Sequence, residues 1–209
     1  MSGIIAQNLG LGSGLIKAPE GGGVWNKITA ITASDDSTVS FTSGIDGTYD
    51  HYCFIWNNVN TATGGQVDAG VIQVNFSVDG GSNYNVTKTT SMFQSYHKED
   101  DNEAYQSYSN YWDLAQATGA STVMNSMGAG ADECGAGYMY LYAPADTTFV
   151  KHFMGEASIY HQDDFTQRNN FAGYGNTTSA INAVQFTALG ENYSGSDNFD
   201  GVFTMYGIS

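Results

Sequence analysis

Val71-Ile72-Gln73-Val74-Asn75-Phe76-Ser77-Val78, followed at once by Asp79-Gly80-Gly81-Ser82, decides the fold class of this chain. Extended backbone sends successive side chains to opposite faces, so Ile72, Val74, Phe76 and Val78 share one face and Gln73, Asn75 and Ser77 the other. That alternation predicts a half-buried antiparallel strand. The Asp-Gly-Gly-Ser that follows reads as a hairpin turn leading into 86–97. Runs of the same kind recur on both sides: VWNKITAITA (24–33), TVSF (38–41), YCFIWNNV (52–59), VTKTTSMFQSYH (86–97), YMYLYA (138–143), TFVKHFMGEASIY (148–160), NFAGYG (170–175), INAVQFTAL (181–189) and GVFTMYGI (201–208). Asp46-Gly47, Gly64-Gly65 and Asp200-Gly201 punctuate the junctions. The two prolines, Pro19 and Pro144, fall outside the runs, as ladder hydrogen bonding requires. The stretch 103–118 reads as a long decorated loop with at most one helical turn, and the small-residue stretch 119–137 as loop. Some ten strands and almost no helix predict an all-β, two-sheet antiparallel β-sandwich, with a jelly roll the preferred topology.

The chain has 209 residues, enough for one β domain with an appended arm. Residues 1–23 read as an extended Gly-rich arm, with glycines at 10, 12, 14, 21, 22 and 23, and 24–209 as the sandwich domain. The apolar residues Ile4, Ile5, Leu15 and Ile16 of the arm are candidate anchors on another subunit, ordering when bound. Charged residues make up only 13 %, roughly half the usual share. Hydroxyl, amide and 14 Tyr side chains supply the polarity instead. A net charge of −15 repels phosphate backbones and anionic lipid heads, which argues against nucleic-acid and membrane-surface partners. No run of about 18 apolar residues exists to span a bilayer. The opening MSGIIAQNLGLG has neither the basic start nor the apolar stretch of a secretory signal, so synthesis in a cytoplasm is expected. Cys53, in a strand run, and Cys134, in a Gly-rich loop, read as a buried thiol and an incidental loop thiol.

Motifs that would carry chemistry fail on spacing. Gly10-Leu11-Gly12-Ser13-Gly14 has no Lys-Ser/Thr sequel, no preceding strand and no following helix. None of His51, His97, His152 and His161 stands in a nucleophile setting, and His152, in phase with Val150 and Met154, reads as a packed histidine. The acidic runs Glu99-Asp100-Asp101-Asn102-Glu103 and Asp163-Asp164 read as solvated loops instead of a paired acid and base over a groove. The expectation is therefore no enzyme, no catalytic residues and no cofactor. Asp35-Asp36, Asp197-Asn198-Asp200 and Asp163-Asp164 offer the hard oxygen ligands of a structural calcium, but none matches an EF-hand loop and no metal ligands are assigned. The Asn-X-Ser/Thr triplets at 85–87, 176–178 and 192–194 match by composition in so Asn/Thr-rich a chain.

The stretch 98–137 is acidic and Tyr-rich, and loops on a rigid sheet scaffold commonly carry recognition. Tyr105, Tyr108, Tyr111 and Trp112 are accordingly the candidate ligand contacts, with Trp112 the best stacking platform for a sugar ring. Trp56, inside a strand run, is expected in the core.

GLIKAPEGGGVW, FTSGIDGTYDHYCFIWNNV, FSVDGGSNYNVTKTTSMFQSYH, LYAPADTTFVKHF, AGYGNTTSAINAVQF and the closing MYGI together resemble a family of marine, cyanophage-like tailed-phage structural proteins described as virion structural or tail-fibre-like. The resemblance runs over nearly the whole chain and is weakest across 98–137. It implies a virion component on the particle exterior, capsid-decorating or fibre-like, assembled with other virion proteins as a homo-oligomer. A trimer follows the habit of such particles. The resemblance transfers no catalytic or metal-binding residues; the loop 98–137, where it says least, is the candidate for target contact, with a host-surface glycan as the expected partner. A free-standing carbohydrate-binding module is the alternative, and a polysaccharide hydrolase comes after it.

Overall fold

The computed structural model describes residues 25–61, 70–128, 130, 132–189 and 196–209. The arm 1–23, with Ile4, Ile5, Leu15 and Ile16, lies outside the described residues. Among the described residues thirteen strands run in chain order as β1 (Trp25–Asp36), β2 (Thr38–Phe41), β3 (His51–Thr61), β4 (Gly70–Ser77), β5 (Lys88–Lys98), β6 (Ala104–Tyr108), β7 (Ser121–Met127), β8 (Gly135–Tyr142), β9 (Lys151–His161), β10 (Phe165–Gly175), β11 (Ala183–Leu189), β12 (Ser196–Asp197) and β13 (Phe199–Ile208). There is no helix among the described residues, and every pairing is antiparallel.

The pairings trace one long array, β6-β5-β10-β9-β8-β3-β13-β1, and one short array, β7-β4-β11, with β2 and β12 on the far side of β11. Two links join them. Met127 of β7 pairs with His161 of β9, just beyond the point where β8 ends its own pairing with β9. On the other side only Ser37 separates β1, the edge of the long array, from β2 in the short one. The result is a single antiparallel sheet nearly closed into a barrel, which leaves few free strand edges.

Strict alternation decides what faces inward. On β9, Lys151, Phe153, Ala157, Ile159 and His161 are buried, while His152, Met154 and Ser158 are exposed. His152 therefore lies outside, against Tyr174 (6.1 Å), and is not a packed core residue. The interior is a chain of aromatic rings spanning both arrays. Trp56 and Phe203 of the long array meet Phe186 of the short one at 5.6 and 5.1 Å, and Phe41 of β2 meets Phe54 of β3 at 5.3 Å. Each such ring stabilises the fold by about 1.5–3 kcal/mol through the apolar area it removes from water.

Three local expectations need correction. The polar face of β4 is covered: Asn75 is 8 % exposed and Ser77 0 %, while Val78, expected inside, is 37 % exposed. Segments 84–86 and 118–122 lie over that face. Asn75 Nδ2 donates to the Tyr84 and Thr118 carbonyls (2.7 and 3.2 Å), and Lys88 Nζ donates to Asn75 Oδ1 and the Val86 carbonyl. Second, Asp79-Gly80-Gly81-Ser82 turns with φ of 71° and 89° at its glycines but makes no hairpin. β4 pairs with β11 and β7, and β5 with β10 and β6, so the turn carries the chain between arrays. Third, Asp200-Gly201 is no junction. Gly201, at φ 144°, sits at a bulge inside β13, where a Cβ would press on Val59.

The stretches expected as loops contain β6 and β7. β6 carries no apolar period, since its two tyrosines, three residues apart, face opposite ways. β7 pairs with β4 through two register irregularities and holds Ser126 at φ 60°, so its buried residues do not alternate. The cysteines are free, Cys53 buried and Cys134 exposed. Burial pushes the Cys53 thiol up to about 12, so it stays protonated.

Two measurements test this interior. Phe186→Ala should cost about 3–5 kcal/mol in denaturant unfolding, because the cavity opens between the two arrays. Lys88 is buried, and desolvation lowers it from 10.5 to about 8. The unfolded chain then binds more protons than the folded one between those values, so stability should rise as pH increases from about 8 to 10.5. Lys88→Met should remove that rise.

Candidate functional site

On β10 the inward phase reads Phe165, Gln167, Asn169, Phe171: it begins aromatic, turns to amide and ends in the core. The partners across the sheet follow suit. Tyr96 pairs with Gln167, Gln94 with Asn169, and Lys98 and His161 flank Phe165. Where the apolar interior stops, Phe165, Gln167, Tyr96, Gln94, Lys98 and His161 line a polar cleft of about 600 Å³. Its far wall comes from Ser109, Tyr111 and Trp112 after β6, and from Asn125 and Ser126 of β7.

The floor is a buried amide cluster. Gln167 Nε2 donates to the Asn125 carbonyl (3.1 Å), Asn125 Oδ1 (3.2 Å) and Asn169 Oδ1 (3.0 Å), and Asn169 Nδ2 donates to Asn125 Oδ1 (2.6 Å). Amides buried without partners cost several kcal/mol, so these bonds hold the cluster in one arrangement. One wall is a stack of rings: His161 on Phe165 at 3.8 Å, and Phe165 on Tyr96 at 4.7 Å. His161 Nδ1 accepts the Asp163 N–H (3.1 Å). Burial lowers His161 to about 4, against the opposing pull of the Asp163 carboxylate, so the ring is neutral at pH 7. At the mouth, Tyr96 donates to Glu103 (2.7 Å), which also takes Lys98 Nζ (3.0 Å). Those two bonds hold the Glu103 carboxyl below its ordinary value. The cleft thus combines fixed amides, aromatic faces and the carboxylates of Glu103 and Asp163, which suits holding a polar ligand with ring faces.

The four sequence-predicted contacts divide. Tyr111 and Trp112 line the cleft, packed edge to face at 4.7 Å. Tyr105 lies directly across from Tyr96 on the same face, at 5.9 Å. Tyr108 is on the opposite face, beside Phe93 (5.3 Å), and donates to Asp113. Trp56 is fully buried. Asn125, Gln167, Asn169, His161, Tyr96 and Phe165 were not singled out by the sequence. The readable signal was the period-two run from Phe165 to Phe171, whose inward phase carries two amides.

Two of the oxygen-rich loops do come together. Asp200 Oδ1 accepts the Asp35 N–H (2.8 Å), and Asn198 Nδ2 donates to Asp35 Oδ1 (3.0 Å). Among the described residues, no group of three or more His, Cys, Asp or Glu side chains is placed to hold a metal ion. No helix of the described residues is long and apolar enough to cross a membrane. Comparison with protein-family models, curated proteins and solved structures finds no match to this chain.

His161 gives the cleft a pH signature. The folded value near 4 lies below the ordinary 6.5, so the unfolded chain takes up the proton first on acidification. Stability should therefore fall as pH drops from about 6.5 to 4. His161→Gln should flatten that interval in a thermal-melt series.

Proposed function

We propose that this chain is a non-enzymatic binding protein of a tailed-phage particle exterior, with the polar cleft as its contact for a host-surface glycan. The observation that carries the glycan contact is Tyr111 and Trp112 lining one cleft with the amides of Asn125 and Gln167, which buried Asn169 helps to fix. Aromatic faces take the C–H surface of a sugar ring, and amides address its hydroxyls. The particle assignment is supported by the phage-like blocks, several of which coincide with framework strands: FTSGIDGTYDHYCFIWNNV runs from β2 through most of β3, and AGYGNTTSAINAVQF from β10 into β11.

In this reading the long and short arrays are the two sheets of a jelly-roll-like sandwich. The Gly-rich arm 1–23 is the assembly element, joining other virion proteins and copies of the same chain, as a trimer. The protein is made in the host cytoplasm and resides in the virion, with no cofactor, no nucleic acid and no membrane insertion. Hydrolysis is the weaker alternative, since a glycosidase acid needs a raised carboxyl pKa and the cleft's Glu103 is shifted the other way.

Trp112→Ala should weaken retention on host-cell polysaccharide at least tenfold, with an unchanged melting temperature. Equal retention by the variant removes the cleft as the contact. Antibody labelling of intact particles should find this chain on their surface, and its absence from purified particles would remove the virion assignment.

A further inference from the structure

On the opposite face of the same strands lies a second depression, a groove of about 700 Å³. It exists because short and tall side chains stand side by side in the outward rows. Ala136 and Ser158 are the low points, and Trp25, Tyr138, Tyr140, Glu156 and Arg168 rise around them, with Ile55 beneath. The aromatic wall is locked by its own contacts: Trp25 meets Tyr206 at 5.5 Å and Tyr140 at 6.1 Å, and Tyr138 meets Tyr140 at 5.6 Å. Trp25 is nevertheless 44 % exposed and Tyr138 37 %. Facing them, Glu156 accepts Arg168 Nη2 (2.5 Å) and the Tyr138 hydroxyl. Both charged groups keep spare capacity, because a guanidinium has five N–H donors and a carboxylate about four acceptor sites.

We propose that this groove binds a neutral hexopyranose of a glycan chain, independently of the cleft. The rings of Trp25 and Tyr138 take the apolar face of the sugar. Glu156 accepts from one of two neighbouring hydroxyls, and Arg168 donates to the other. Charge selects the occupant. At a net −15, a uronic or sulfated sugar is repelled, whereas a neutral hexose is not. The groove is also a recess between side chains, roomy enough for a sugar and its neighbours in a chain, where a self-contact would use a flatter face.

The chain's three tryptophans supply the test. Trp25 lines the groove, Trp112 lines the cleft, and Trp56 is buried in the core. The indole N–H resonances of the full chain are followed during titration with cellohexaose, maltohexaose and mannohexaose. The expected result is a saturable shift of the Trp25 resonance with at least one hexaose and a still Trp56. Ala136→Leu, at an exposed position that fills the groove, should weaken that titration at least tenfold at unchanged melting temperature. A Trp25 resonance silent to all three sugars overturns the proposal. So does one that moves with protein concentration instead of sugar, which would assign the face to a self-contact. Movement of Trp112 alone supports the cleft reading and overturns this one, so the two fail separately.

Discussion

The rings of Trp56, Phe186 and Phe203 are the contact on which the rest of the molecule depends. Strand pairing alone would leave the long array as an open sheet with a wet inner face. Packing Phe186 between Trp56 and Phe203 brings the short array over that face, and hydrophobic burial supplies the driving force. With β1 running on into β2, and β7 touching β9, the sheet then has little choice but to curl on itself.

The same packing determines where ligands have room. The short array is narrower than the long one and covers only part of it. Toward one end the inward residues of β9 and β10 are Phe153 and Phe171, and toward the other they become Asn169, Gln167 and His161. At that transition the covering layer contributes an amide of its own, Asn125 of β7. Burial there is deep enough to keep His161 neutral and to require partners for every amide, yet open enough for Trp112 to face solvent space.

Much of the fold was legible because the alternation of apolar residues survives in most strands. The ten runs read from the sequence match ten strands, with TVSF (38–41) reproducing β2. Register irregularity hid β7, the opposed tyrosines hid β6, and two-residue β12 is too short to carry a period. Partner choice was less legible: an Asp-Gly-Gly-Ser turn looks the same whether the next strand pairs with the last or crosses to another array. The candidate cleft was half legible. Tyr111 and Trp112 stand out as aromatics in a polar loop, but Gln167 and Asn169 acquire meaning only once their side of β10 is known to face inward. The outer groove was illegible, since it arises from neighbours in five different strands.

β9 and β10 deal their side chains alternately to two unlike surfaces: Gln167 and Asn169 to the enclosed side, Thr166 and Arg168 to the open one. Such a ribbon has parity. Adding or deleting a single residue inside the paired length of β10 would exchange the two sets beyond it, driving a guanidinium into the interior and turning the amides out to water. Gly155 guards against that slip, for a Cβ there would collide with the Tyr138 carbonyl and the Phe171 ring. Descendants of this chain are thus free to vary either surface by substitution, but to change length in this ribbon only by even steps.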